Sequence, residues 1–254
     1  MTLIKKIFLI KMIMKNLMCL FLLLISSFMS FSQEPDFDDL KILFADAKYE
    51  KLVASAHKYS QKEHLKKHPL PFMWMAKGLY KISTSGTPSP KYKDPYKEAI
   101  GYISKALKID KDSSCRNTHQ EFIGEFQMSL VERVTNAVSS EKFKDASGWA
   151  VKYYKITAHP IGSKYIEAAA KFRSGDKGAA SSLWKDCEKL LPEITDLVGW
   201  AEADEVLFKI GVMMTSECYI AAHQEDKAVA LYNKVAPWFG EDEEFKTRYD
   251  EISK

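Results

Sequence analysis

No C-x-x-C pair, glycine-rich phosphate loop or G-x-S-x-G elbow occurs in this chain. Thioredoxin-like, zinc-ribbon, P-loop and serine-hydrolase chemistries therefore have no motif to stand on. Glycine and proline are scarce, 11 and 9 in 254 residues, and they gather at a few places. No run of alternating β-branched residues is present, so nothing argues for strands. Charge of one sign is also missing. Lysine and arginine number 37 against 34 aspartates and glutamates, a net of +3. Nucleic-acid binding needs a clustered positive surface, so no nucleic-acid partner is expected.

Acidic residues are absent from residues 1–32, which carry Lys5, Lys6, Lys11 and Lys15. An apolar run follows at 17–25, then small residues ending in Ser30, Phe31 and Ser32. Basic, apolar and then small is the layout of a secretory signal peptide, with cleavage expected after Ser32. The run is shorter than the ~20 residues of a spanning helix, so no integral membrane span is expected after cleavage. Cys19 lies within the apolar run rather than at its end, which is not where a lipidated cysteine belongs. Without the four signal lysines, 33 basic residues face 34 acidic ones. The expected organisation is a signal peptide at 1–32, a short linker at 33–37 and a repeat domain at 38–254. The expected location is exported, periplasmic or outer-membrane-associated.

Beyond the leader the apolar pattern is helical. Residues 96–110 place Ala99, Ile100, Ile103, Ala106 and Leu107 on one stripe of a 3.6-residue helix. Small residues on such a stripe let a second helix approach closely. Residues 176–192 repeat the layout, with Gly175-Asp176 as a turn before it and Pro192 closing it. Residues 227–235 give a third copy, 143–153 a looser one and 49–56 the loosest. The aligned anchors are Leu52, Ala99, Ala146, Ala180 and Ala228, separated by 47, 47, 34 and 48 residues. Ahead of them stand further small residues, Ala76, Ala168 and Ser216, the last two each twelve residues before an anchor. The Pro-, Gly- and Ser-rich stretch 83–94 is an insertion.

The aromatic followed by E-A-I, K-A-L and Asp in 96–110 resembles the second helix of a tetratricopeptide (TPR) repeat, whose period is about 34 residues. That resemblance implies an all-α fold, an α-solenoid of about five antiparallel helix pairs, with residues 241–252 as a C-terminal capping helix. Trp149 and Trp184 hold equivalent places on second helices and are expected in the core.

Sites that carry chemistry are few. His57, His64 and His68 have helical spacing, but Lys58, Lys62, Lys66 and Lys67 surround them and oppose a cation, so no metal is expected. Cys115 and His119 are four apart without a family signature, so no catalytic residue is assigned. No cofactor is expected. Cys115, Cys187 and Cys218 leave two readings open: one disulfide, with Cys187–Cys218 favoured, or three buried thiols.

In the TPR family the inner groove, lined by first helices, binds peptide segments. Carried over position by position, the resemblance implies a groove of Met73, Lys77, Tyr80 and Lys81 from the second pair. Tyr165, Ala169, Phe172 and Arg173 follow from the fourth, and Met213, Glu217 and Ile220 from the last. Lys77, Lys81 and Arg173 would supply positive charge for an acidic peptide or carboxylate. The expected function is a non-enzymatic scaffold or adaptor for a protein or peptide partner in the cell envelope. The alternatives are a small-ligand or glycan-binding helical protein and a helical cell-wall enzyme.

Overall fold

The computed structural model describes residues 37–87 and 89–253. The expected signal peptide and nearly all of the linker lie outside the described residues. Two compact units divide the chain, residues 1–41 and 42–254. Everything below concerns the second unit, apart from the first turn of α1.

Among the described residues the fold is all-helical. Twelve α-helices run in order: α1 Asp38–Ala45, α2 Tyr49–Gln61, α3 Pro69–Thr84, α4 Pro95–Ile109, α5 Ser114–Thr118 and α6 Gln120–Ser139. Then come α7 Phe143–Tyr153, α8 Ile161–Arg173, α9 Lys177–Leu190, α10 Glu202–Ala221, α11 Glu225–Phe239 and α12 Glu243–Ile252. Their starts are written locally. Asp94, Asp176 and Asp242 accept the backbone N–H of Lys97, Ala179 and Phe245 at 3.1, 3.2 and 3.0 Å. Each satisfies an orphan donor of a first turn. Pro69 and Pro95 open α3 and α4, where a missing N–H costs nothing. His68 caps α3 through Nδ1, which accepts Leu70 N–H at 3.3 Å.

Four helices end in the same turn. Ala47, Glu141, Gly175 and His223 all have positive φ, at 55°, 54°, 90° and 57°. At each, the N–H of the positive-φ residue bonds three residues back, and the next N–H bonds five residues back. Gly175 donates to Phe172 at 3.0 Å and Asp176 to Lys171 at 2.9 Å. His223 and Gln224 do the same to Ile220 and Tyr219, both at 2.9 Å. Glu141 and Lys142 repeat it to Val138 and Ala137, and Ala47 and Lys48 to Phe44 and Leu43. This left-handed closure satisfies carbonyls that a helix end leaves open. Each left-handed residue stands five positions before an anchor: Leu52, Ala146, Ala180 and Ala228. All five anchors, Ala99 included, are fully buried. The second pair instead carries the expected insertion between Thr84 and Pro95.

Neighbouring helices pack in sequence: α2 on α3, α3 on α4, α6 on α7, α7 on α8, α8 on α9, α10 on α11 and α11 on α12. The closest approach skips one helix. A Cβ on Gly162 of α8 would stand 2.3 Å from the Phe208 nitrogen of α10. On Gly211 it would stand 2.5 Å from the Gly162 carbonyl oxygen and 2.7 Å from Tyr165 Cβ. The two backbones therefore touch where only glycine fits. Ala76, Ala168 and Ser216 are buried in the first helices. Trp184 is buried and Trp149 half-buried against Ala137, Ala146 and Ala170. The three cysteines are free and buried, which selects the thiol reading over the disulfide.

Two substitutions test this packing. Gly211→Ala should destabilise by about 1–3 kcal/mol through overpacking. Gly101→Ala, in open space on α4, should gain about 0.5–1 kcal/mol. Urea midpoints read both, and equal effects would contradict the close crossing. Glu141→Gly should stabilise by up to about 1 kcal/mol by relieving a left-handed residue that carries a side chain. A loss there would contradict the turn.

Candidate functional site

The eleven residues expected to line a groove divide into two groups. Met73, Tyr80, Tyr165 and Met213 are buried and offer no open surface. Tyr80 packs in an aromatic cluster, 5.0 Å from Phe126, 6.0 Å from Phe122 and 6.2 Å from Tyr96. Tyr165 stacks on Phe208, and burial pushes its phenol upward. Ala169 is buried as well, its carbonyl oxygen 3.7 Å from Cys218 Sγ. These positions face neighbouring helices because a first helix here is covered on more than one side.

Lys77, Lys81, Phe172, Arg173, Glu217 and Ile220 reach the surface. Lys81 pairs with Glu125 of α6 at 3.3 Å, and Arg173 of α8 pairs with Glu217 of α10. Their charge is therefore already matched within the fold. Lys77 differs: among the described residues it makes no salt bridge. Its ammonium lies 4.9 Å from the ring of Trp74, 5.4 Å from Phe122 and 5.8 Å from Phe44. Burial lowers its pKa, while Glu121 and Glu125 pull it back up. An ammonium between aromatic faces is held by their quadrupoles.

Cys115 and His119 flank this lysine without forming a catalytic pair. Burial pushes the thiol up to about 12, so it stays protonated at neutral pH. Burial, helped by Lys77, pushes His119 down to about 4, so its ring stays neutral. His119 is 8 % exposed, meets the Trp74 ring edge-on at 5.9 Å, and finds no hydrogen-bond partner for Nε2 among the described residues. Of the three histidines with helical spacing, His57 lies on α2, His64 in the 3-10 turn Glu63–Leu65 and His68 at the cap of α3. Among the described residues no three His, Cys, Asp or Glu side chains gather as metal ligands.

Sequence reasoning missed one polar constellation. Asp204, only 3 % exposed, accepts the Tyr153 hydroxyl at 2.7 Å and the Thr157 hydroxyl through the same oxygen. Burial raises its pKa, against the pull of those two hydroxyls. Asp204 borders a cavity of about 540 Å³ with Glu121, Gln127, His159, Trp200 and Glu202. His159 and Trp200 stack at 4.3 Å. No sequence signal marked Asp204, because an acidic residue in a first helical turn is ordinary. The chain matches no known family model, and no curated protein matches it significantly.

His119 sets a pH dependence. Its folded pKa of about 4 lies below the ordinary 6.5, so the unfolded chain takes up the proton first. Stability should be complete above 6.5 and fall by about 3 kcal/mol as pH drops toward 4, at 1.36 kcal/mol per unit. His119→Phe removes the proton-binding group. Urea midpoints across this window should show the variant gaining on the parent as pH falls. A constant difference would refute the buried neutral ring.

Proposed function

We propose that residues 38–254 are a TPR-like solenoid of helix pairs, closed by α12 as a capping helix, and that it acts as a non-enzymatic adaptor in a bacterial envelope. The repeated left-handed turns, each five residues before a buried anchor, support the repeat reading. The basic, apolar and small segments at 1–32 support export. The adaptor holds a peptide segment of a partner against its first helices.

One observation carries the partner chemistry. Lys77 has aromatic rings around it and, among the described residues, no carboxylate in a salt bridge with it. A half-buried cation loses hydration and gains most from a charged hydrogen bond. The segment we infer presents a carboxylate to Lys77 and an apolar side chain to Phe44, Trp74 and Phe122. Glu121 and Glu125 nearby select against a segment with many acidic residues, since like charges in register are costly. Recognition of the charge thus rests on one ammonium rather than on a broad basic groove.

A crosslinking pull-down from the native envelope tests it, with Lys77→Met run beside the parent. Met keeps the stem packing and deletes the charge. Loss of a charged hydrogen bond should weaken retention of the partner by about 10- to 100-fold. Equal retention by both proteins would overturn the Lys77 contact, and no retained partner with either would overturn the adaptor reading.

A further inference from the structure

The end of α8, the exposed side of α9 and the α10–α11 turn border one cavity of about 590 Å³. Three rings, tilted to one another by 42° and 50°, line part of it, with Phe172 half-buried and Trp184 and Tyr219 buried. Phe172 and Trp184 have centroids 5.6 Å apart, and Trp184 and Tyr219 are 4.8 Å apart. Trp184 is fixed in place by its indole N–H, which donates to Thr215 Oγ1 at 3.1 Å. The rings are therefore preorganised rather than assembled on contact.

Ammonium groups stand around these rings. Lys177 Nζ lies 5.4 Å from the Phe172 ring and Lys227 Nζ lies 5.8 Å from the Tyr219 ring, one at each end. Lys185 lines the same cavity, and Glu188 is its one lining carboxylate. Among the described residues none of the three lysines makes a salt bridge, whereas Lys81, Lys171, Lys189 and Lys209 all do. Three unmatched cations thus border a partly aromatic space of ordinary ligand size.

We propose that this cavity binds a small ring-bearing anion. A ring packs on the half-buried Phe172 ring, with the edges of the buried Trp184 and Tyr219 behind it, and acidic groups reach Lys177, Lys227 and Lys185. Ring stacking supplies the apolar contact, and the split positions of Lys177 and Lys227 favour a ligand with two acidic groups. A sugar acid and an aromatic acid share this chemistry. The site stands apart from the Lys77 face and does not depend on the adaptor reading.

Calorimetric titration of the full chain decides it. One arm uses digalacturonate and its methyl ester; the other uses naphthalene dicarboxylate and its diamide. At least one dianion should bind with Kd of about 1 mM or tighter, and its uncharged counterpart at least about tenfold more weakly. Binding in the first arm alone assigns a sugar acid, and in the second alone an aromatic acid. Lys177→Gln/Lys227→Gln, checked for an unchanged far-ultraviolet dichroism spectrum, should lose at least about tenfold in affinity. No binding by either dianion, equal binding of the uncharged forms, or unchanged affinity in the variant would overturn the site. The pull-down with Lys77→Met reads a different face, so either proposal can fail alone.

Discussion

Backbone contact between α8 and α10 is the constraint on which the C-terminal half depends. Gly162 and Gly211 leave no room for a side chain between the two helices. Once that crossing is set, the partners farther along the helices are set too. Ala169 meets Cys218, and Arg173 meets Glu217. At the far end, Phe172 and Tyr219 come to flank Trp184. The lysine-rimmed cavity is thus a consequence of two glycines about ten residues away in each helix. Helices held this close behave as a rigid ridge, because packed interiors do not deform continuously.

The five buried anchor positions were legible in the sequence, and the left-handed turns ahead of four of them were not. Leu52, Ala99, Ala146, Ala180 and Ala228 are visible in the sequence because a buried stripe tolerates few residue types. The left-handed turns are hidden because three of the four carry Ala47, Glu141 and His223 instead of glycine. Only Gly175 announces itself. Left-handed backbone at a residue with a side chain costs about 1–2 kcal/mol, and packing of the helix pair offsets it. Local sequence cannot report a conformation that tertiary contacts impose.

The groove assignment shows a second limit of the same kind. Periodicity finds the apolar stripe of a first helix but not how many neighbours cover it. Met73, Tyr80, Tyr165 and Met213 lie on faces that other helices occupy. The charged positions were easier, since ammonium and carboxylate groups seek water or each other. Even so, only the fold reveals that Lys81 and Arg173 are matched by Glu125 and Glu217. Those partners sit 44 residues away in both cases, beyond any local reading.

Buried polar groups complete the physical account. His119 and Asp204 are both pushed toward their uncharged forms by burial, one downward and one upward. The His119 ring is held neutral and Asp204 is met by two hydroxyl donors, so neither stands as an uncompensated charge in the interior. Asp204 keeps its place through two hydroxyls from the α7 end and the segment after it, which ties that segment to the first turn of α10. His119 has no such tie at Nε2 among the described residues. It sits beside Lys77, whose positive charge further disfavours imidazolium. A neutral ring next to an ammonium without a salt bridge leaves Lys77 as the charged group on that face with most to gain from an incoming carboxylate. Around the cavity of α9 and the α10–α11 turn, Lys177, Lys185 and Lys227 outnumber Glu188. At Lys77 the half-buried ammonium is partly stripped of water, so an anion there is worth more than in open water.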